Sequence, residues 1–235
     1  MRLDLLQDDY VTAHNLDQIG RTEDLRFGTQ LSAELGVSQA ALGANRNAFV
    51  ASLGASRGYR LVHEQSLFLA GSWGSRLEGG SLRDSLLSVS SRYFWRASGK
   101  TVLFVGFAAD KGSALDLDHE LMLGGDTGLR GYPLRYQTGT ARALLTVEGR
   151  YFTNWYPLRL ARVGAAVFAD IGRTWGASAL AVPELGTLRD VGIGLRFGNT
   201  RSALGNVLHV DLAFPLDGDP SVKSMQFLLK TYKSF

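Results

Sequence analysis

From Leu25 the chain reads LRFGTQLSAELGV, placing Leu25, Phe27, Thr29, Leu31, Ala33, Leu35 and Val37 at every second position with mostly polar residues between them. Period two sustained this long predicts a strand. At ~3.3 Å per residue it would cross a bilayer core even when tilted. The same alternation predicts strands over residues 3–11, 47–53, 66–73, 87–95, 143–152, 160–172, 188–197, 207–214 and 225–235, adds 101–108 as a strand apolar on both faces whose orientation it does not set, and leaves 14–24 as a polar link. About eleven strands result, roughly one every twenty residues, with no helical period. Soluble sandwiches space their turns about 8–12 residues apart. The expected strands are therefore long.

The faces are clearest in the second half. Val163, Ala165, Val167, Ala169 and Ile171 alternate with Gly164, Ala166, Phe168, Asp170 and Gly172. Val191, Ile193, Leu195 and Phe197 alternate with Asp190, Gly192, Gly194 and Arg196; Leu208, Val210, Leu212 and Phe214 alternate with His209, Asp211 and Ala213. One apolar face set against a face of charges and glycines is what a membrane barrel requires, with lipid outside and water or a plug inside. A soluble barrel holding an apolar ligand would carry the same alternation turned inside out. Tyr93, Trp95, Trp155, Tyr156 and Trp175 fall at predicted strand ends, as interfacial aromatic girdles do, and this favours the membrane arrangement.

Composition adds exclusions. In 235 residues, 45% are apolar and 28 are glycine, which rules out general disorder and suits strands joined by tight turns. The net charge of +3 is scattered without a basic run, so nucleic acid is not an expected partner. The absence of cysteine excludes disulfides and thiolate metal sites. His14, His63, His119 and His209 lie too far apart for zinc spacing. Asp116, Asp118, His119, Glu120 and Asp126 lack a calcium-loop pattern and read as solvated loop charge. There is no G-x-S-x-G elbow or phosphate loop, so neither catalysis nor a cofactor nor a metal is expected. The N-terminus has neither a basic leader nor an apolar stretch, and the chain begins within alternating material. A preceding N-terminal part is therefore expected.

One stretch breaks the alternation. LGGDTGLRGYPLRYQ, residues 123–137, holds Gly124, Gly125, Gly128 and Gly131, which permit φ > 0 and close backbone approach, and so predicts a shaped loop. Arg130 and Tyr132 stand at its centre. A guanidinium folded inside the sheet needs acidic partners, because burying it alone costs several kcal/mol. The candidates are Glu148 in VEGRYF and Asp170 in FADIG. A turn centred near 155–157 leaves those acids about four to eight residues apart, or ~13–26 Å. That makes Asp170 the direct partner and Glu148 a secondary one.

LRGY in a glycine-rich loop, Glu148 on the next strand and FADIG, with Phe168 and Gly172, on the strand after it together resemble the BamA/TamA-like superfamily of bacterial outer-membrane barrels, the bacterial surface antigen type. The resemblance covers residues 100–235 and reaches the earlier strands by pattern alone. It implies an all-β, antiparallel transmembrane β-barrel of sixteen-stranded type, about eleven strands being present here, with a loop over about 110–138 tucked into the lumen. It also implies that Arg130 meets Asp170. The POTRA modules of the insertases are missing, so the chain is similar to members lacking them or to the C-terminal part of one. An aromatic C-terminus, Phe235 preceded by Phe227 and Leu229, resembles the insertion signal read by the barrel assembly machinery. Outer-membrane lipid and unfolded polypeptides are the other partners implied. The expected function is insertion of polypeptides into the outer membrane or their passage across it. A passive pore or membrane anchor for another domain, and a soluble barrel binding an apolar ligand, are the alternatives.

Overall fold

The computed structural model describes residues 1–62, 64–116, 119–177, 185–199 and 206–233, with residues 232 and 233 described by backbone alone. Eleven strands form one antiparallel sheet. They are β1 (Arg2–Leu6), β4 (Gln30–Ser38), β5 (Ala48–Arg60), β6 (Gln65–Glu78), β7 (Ser81–Arg96), β8 (Thr101–Ser113), β11 (Ala141–Phe152), β12 (Ala161–Trp175), β13 (Leu188–Asn199), β14 (Asn206–Pro215) and β15 (Gln226–Lys233). Each pairs with the next in that order, and among the described residues no ladder joins β1 to β15. Two small hairpins pair separately from the sheet: β2 (Tyr10–His14) with β3 (Thr22–Arg26), and β9 (Leu121–Leu123) with β10 (Gln137–Gly139).

The alternation turns its apolar side outward. On β12, Phe168, Asp170, Gly172 and Thr174 are buried while Val167, Ala169, Ile171 and Trp175 are exposed. On β13, Asp190, Gly192 and Arg196 are buried while Val191, Ile193 and Leu195 are exposed. Trp95 and Trp155 stand exposed at one end of the strands and Trp175 at the other. The inner face curls. Phe94 of β7 and Val207 of β14 share one buried cluster. Six neighbouring strands in a flat sheet would hold its outermost members ~24 Å apart, at about 4.8 Å per step.

Four expectations change. The alternating stretch 25–37 is not one strand but the end of β3 and the whole of β4, divided at 27–29. There the amides of Phe27 and Gly28 both donate to the Asp9 carbonyl, and the Phe27 ring turns inward to lie 5.1 Å from that of Phe68. A side chain at Gly28 would collide with the Gln7 backbone. Likewise 3–11 divides into β1 and the start of β2, and the polar link 14–24 is the tip and return strand of a hairpin that buries Leu16 and Ile19. Strands β5 to β8 run five or more residues longer than the alternation predicts. Their ends carry polar inner positions facing other parts of the protein, so the apolar signal fades before the pairing does.

Candidate functional site

The connection from β8 to β11, residues 114–140, folds back against the inner face. Its base is the β9–β10 hairpin, held on β12 by the Gln137 side chain, which accepts from the Thr174 amide at 2.9 Å. Its tip needs unusual torsions: Gly124, Gly125 and Gly128 have φ of 135°, 52° and 102°, and Leu129, wholly buried, has φ 55°. A non-glycine residue in that region costs about 1–3 kcal/mol and persists only where its surroundings hold it. Gly131 differs from the expected turning glycine. Its φ is not positive; it is needed for space, since a Cβ there would lie 2.6 Å from the Asp190 Cβ and 3.0 Å from the Pro215 amide nitrogen. Gly131→Ala is therefore expected to lift the tip off β13 and β14 at a cost of about 1–3 kcal/mol, as overpacking does. Limited proteolysis should show faster cleavage within 114–140 while the sheet stays resistant.

The tip delivers Arg130 into a buried ion network. Its Nε and Nη2 donate to the two oxygens of Asp170 at 2.8 and 3.1 Å. Its Nη1 donates to Glu148 at 2.9 Å and to Asp211 at 3.3 Å. The guanidinium carbon lies 3.3 Å from the centroid of the Phe168 ring, a cation–π stack beneath the planar fork. Thr146 donates to Asp170 at 2.7 Å and steadies it. Glu148 is the hub. It also accepts from Arg196 Nη2 and from Arg150 Nε, each at 2.9 Å, and Arg196 in turn binds Asp211. Arg130, Arg196, Glu148, Asp170 and Asp211 are all under a tenth exposed. A buried ion network holds only when its members are multiply bonded, and here they are.

This corrects the expected reach of Arg130, which binds both acids. The β11–β12 register is centred on residue 158, so that Glu148 faces Phe168 and Thr146 faces Asp170. The two carboxylates thus sit on a short diagonal instead of several residues apart. Inside the connection 153–160, Leu158 and Arg159 take φ of 52° and 53°, a turn shape that no residue type there announces. Arg150, Arg196, Asp211 and Asp17 were not foreseen as members of the site. The signal was present for Arg196 and Asp211, which occupy the charged face of their strands. Asp190 stands opposite Asp170 on β13, fully buried beneath Gly131.

Tyr132 fixes the tip a second time. Its hydroxyl lies 2.8 Å from the Arg189 carbonyl and 2.9 Å from the Asp217 carbonyl, and its ring stacks on Tyr136. Arg189 forks onto Asp217, holding that carboxyl below the usual carboxylate range. Tyr132→Phe should cost about 1 kcal/mol, the worth of one net hydrogen bond. It should appear as a modest rise in loop proteolysis, smaller than that of any Arg130 variant.

The other candidates stand apart. Asp116 pairs with Arg76 and is held below its ordinary range by it, and His119 Nδ1 lies 2.8 Å from Asp84. Among the described residues no group of three or more His, Asp or Glu could hold a metal. Asp118, His63 and the terminal Phe235 lie outside the described residues; Phe227 and Leu229 point outward from β15, both more than half exposed. A scan against protein-family models gives no match, and a search of curated proteins gives none either.

Proposed function

We propose that the chain is the barrel portion of a bacterial outer-membrane protein of the insertase or translocator type, related to the BamA/TamA-like barrels. It assists polypeptides into or across the outer membrane. The observation that carries this reading is the inverted sheet, with exposed Val, Ile, Leu and Trp outside and a buried arginine–carboxylate network inside, into which a long loop inserts Arg130. A water-soluble barrel gains stability by the opposite arrangement, since each exposed apolar side chain forgoes about 1.5–3 kcal/mol of burial. Lipid removes that penalty. Strands β5 to β8 and β11 to β13, at 12–16 residues, exceed the ~9–11 that a tilted transmembrane strand needs. In this reading further strands complete the sixteen-stranded wall, and β15 presents Phe227 and Leu229 to lipid and to the assembly machinery.

The test is expression of the complete gene product in a bacterial envelope. A band in the outer-membrane fraction that shifts on boiling supports the barrel, and depletion should then lower insertion or export of other envelope proteins. Membrane association with steady conductance but no effect on other proteins would instead favour the passive pore or anchor. A soluble, unshifted product would remove both.

A further inference from the structure

The hairpin β2–β3 lies inside the curl of the sheet and not beside it. Leu16 and Ile19 at its tip pack with Phe94, Val102, Phe152 and Val207, which come from four separate strands. Two inner-face glycines make room for Ile19, since a Cβ at Gly198 would lie 3.0 Å from the Ile19 Cβ and one at Gly164 3.3 Å from its Cδ1. The hairpin comes from the end of the strands opposite the Arg130 loop. Its tip is tied to the β7–β8 turn through Asn15 and the Gly99 carbonyl, whereas the loop leaves from the other end, at Ser113 and Ala141. Two inserted segments therefore meet the inner face from opposite ends.

Among the described residues one chain of side-chain contacts joins them. Asp17 at the hairpin tip accepts from Arg150 Nη1 at 2.8 Å, and the Leu16 carbonyl accepts from the same nitrogen at 3.2 Å. Arg150 binds Glu148, and Glu148 binds Arg130 of the loop. Arg150 is itself buried and lies 4.6 Å from the Phe104 ring centroid, so it has little freedom to find other partners. The order along the inner face is loop, Arg130, Glu148, Arg150, Asp17, hairpin.

We propose that the hairpin 10–26 is a second plug, latched to the loop through Arg150 and Glu148, so that release of either segment loosens the other. Glu148 divides its oxygens between the two sides. Once Arg130 leaves, Glu148 can turn toward Arg150 and Arg196, which weakens the hold of Arg150 on Asp17. Coupling of this kind is reciprocal: whatever factor the loop imposes on the hairpin, the hairpin imposes on the loop. The consequence for passage through the protein rests on the membrane reading given above; the coupling does not.

The chain has no cysteine, which makes single-cysteine reporters clean. Leu16→Cys, at a site 4% exposed, reports the hairpin, and Leu123→Cys, at a site 1% exposed, reports the loop. Ala48→Cys, at the start of β5, serves as the control for general loosening. Labelling by a water-soluble maleimide is timed on folded protein in detergent. Arg130→Ala is expected to speed labelling of the hairpin cysteine by about fivefold or more, and Asp17→Ala to speed labelling of the loop cysteine by a similar factor, with the control unchanged. If Arg130→Ala exposes the loop cysteine but leaves the hairpin cysteine at its original rate, the latch does not exist. An equal rise at all three cysteines overturns it as well. Should Leu16→Cys prevent folding, the pair Ile19→Cys and Gly198→Cys takes its place. Oxidation should then cross-link the hairpin in the intact protein and slow loop labelling in the Arg130→Ala background, and unchanged loop labelling after cross-linking would count against the latch. Heat-shifted migration of the same samples reports the membrane reading separately.

Discussion

Arg130→Ala is expected to cost about 3–5 kcal/mol, the largest effect of any single change in the loop, because it removes one charge from a buried network and leaves its partners in place. Asp170 loses both of its bonds to the fork and keeps its bond from Thr146, while Glu148 and Asp211 remain held by Arg196. The sheet should therefore hold, and the damage should be confined to the loop and to the hairpin linked to it through Glu148 and Arg150. The tip of 114–140 should become cleavable by protease and the strained Leu129 should relax, while the folded band survives. Arg130→Lys tests the geometry. A lysine keeps the charge but cannot present two parallel donors to Asp170 or lie flat on the Phe168 ring, so it should recover only part of the loss. A loop that stays equally protected in both variants, with insertion or export unchanged, would refute the assigned role.

Placing arginine on the outer face should have the second largest effect. Val167 is 61% exposed and Ile193 54% exposed, near the middle of β12 and β13. In water, arginine at exposed positions such as these stays within about 0.5 kcal/mol. Facing the centre of a bilayer, it costs about 2–4 kcal/mol. Val167→Arg and Ile193→Arg should therefore lower the urea midpoint of refolding into lipid vesicles. Leu216→Arg, 57% exposed but beyond the end of β14, should be nearly neutral. Three equally harmless substitutions would mean that the outer face meets water, and the membrane reading would fail.

Much of this protein is set by local pattern. The two-residue period determined that the chain is built from strands and that Asp170, Asp190, Arg196, His209 and Asp211 share one side, because side chains on a strand alternate whatever the strand pairs with. The cluster of glycines around Arg130 likewise marked a shaped tip, and the Arg130 guanidinium on it pointed to acids across the sheet. Tertiary structure alone decided the rest. Whether Glu148 lies within reach of Arg130 depends on a register set by the torsions of Leu158 and Arg159, and a shift of the turn centre by two residues moves the pairing by four. The alternation runs from β3 into β4 without a break, because a strand that leaves the sheet keeps the same period as one that stays. The inward hairpin, with Asp17 against Arg150, is therefore a matter of which segments pair. That depends on contacts between residues 133 apart in the chain, which no local pattern encodes.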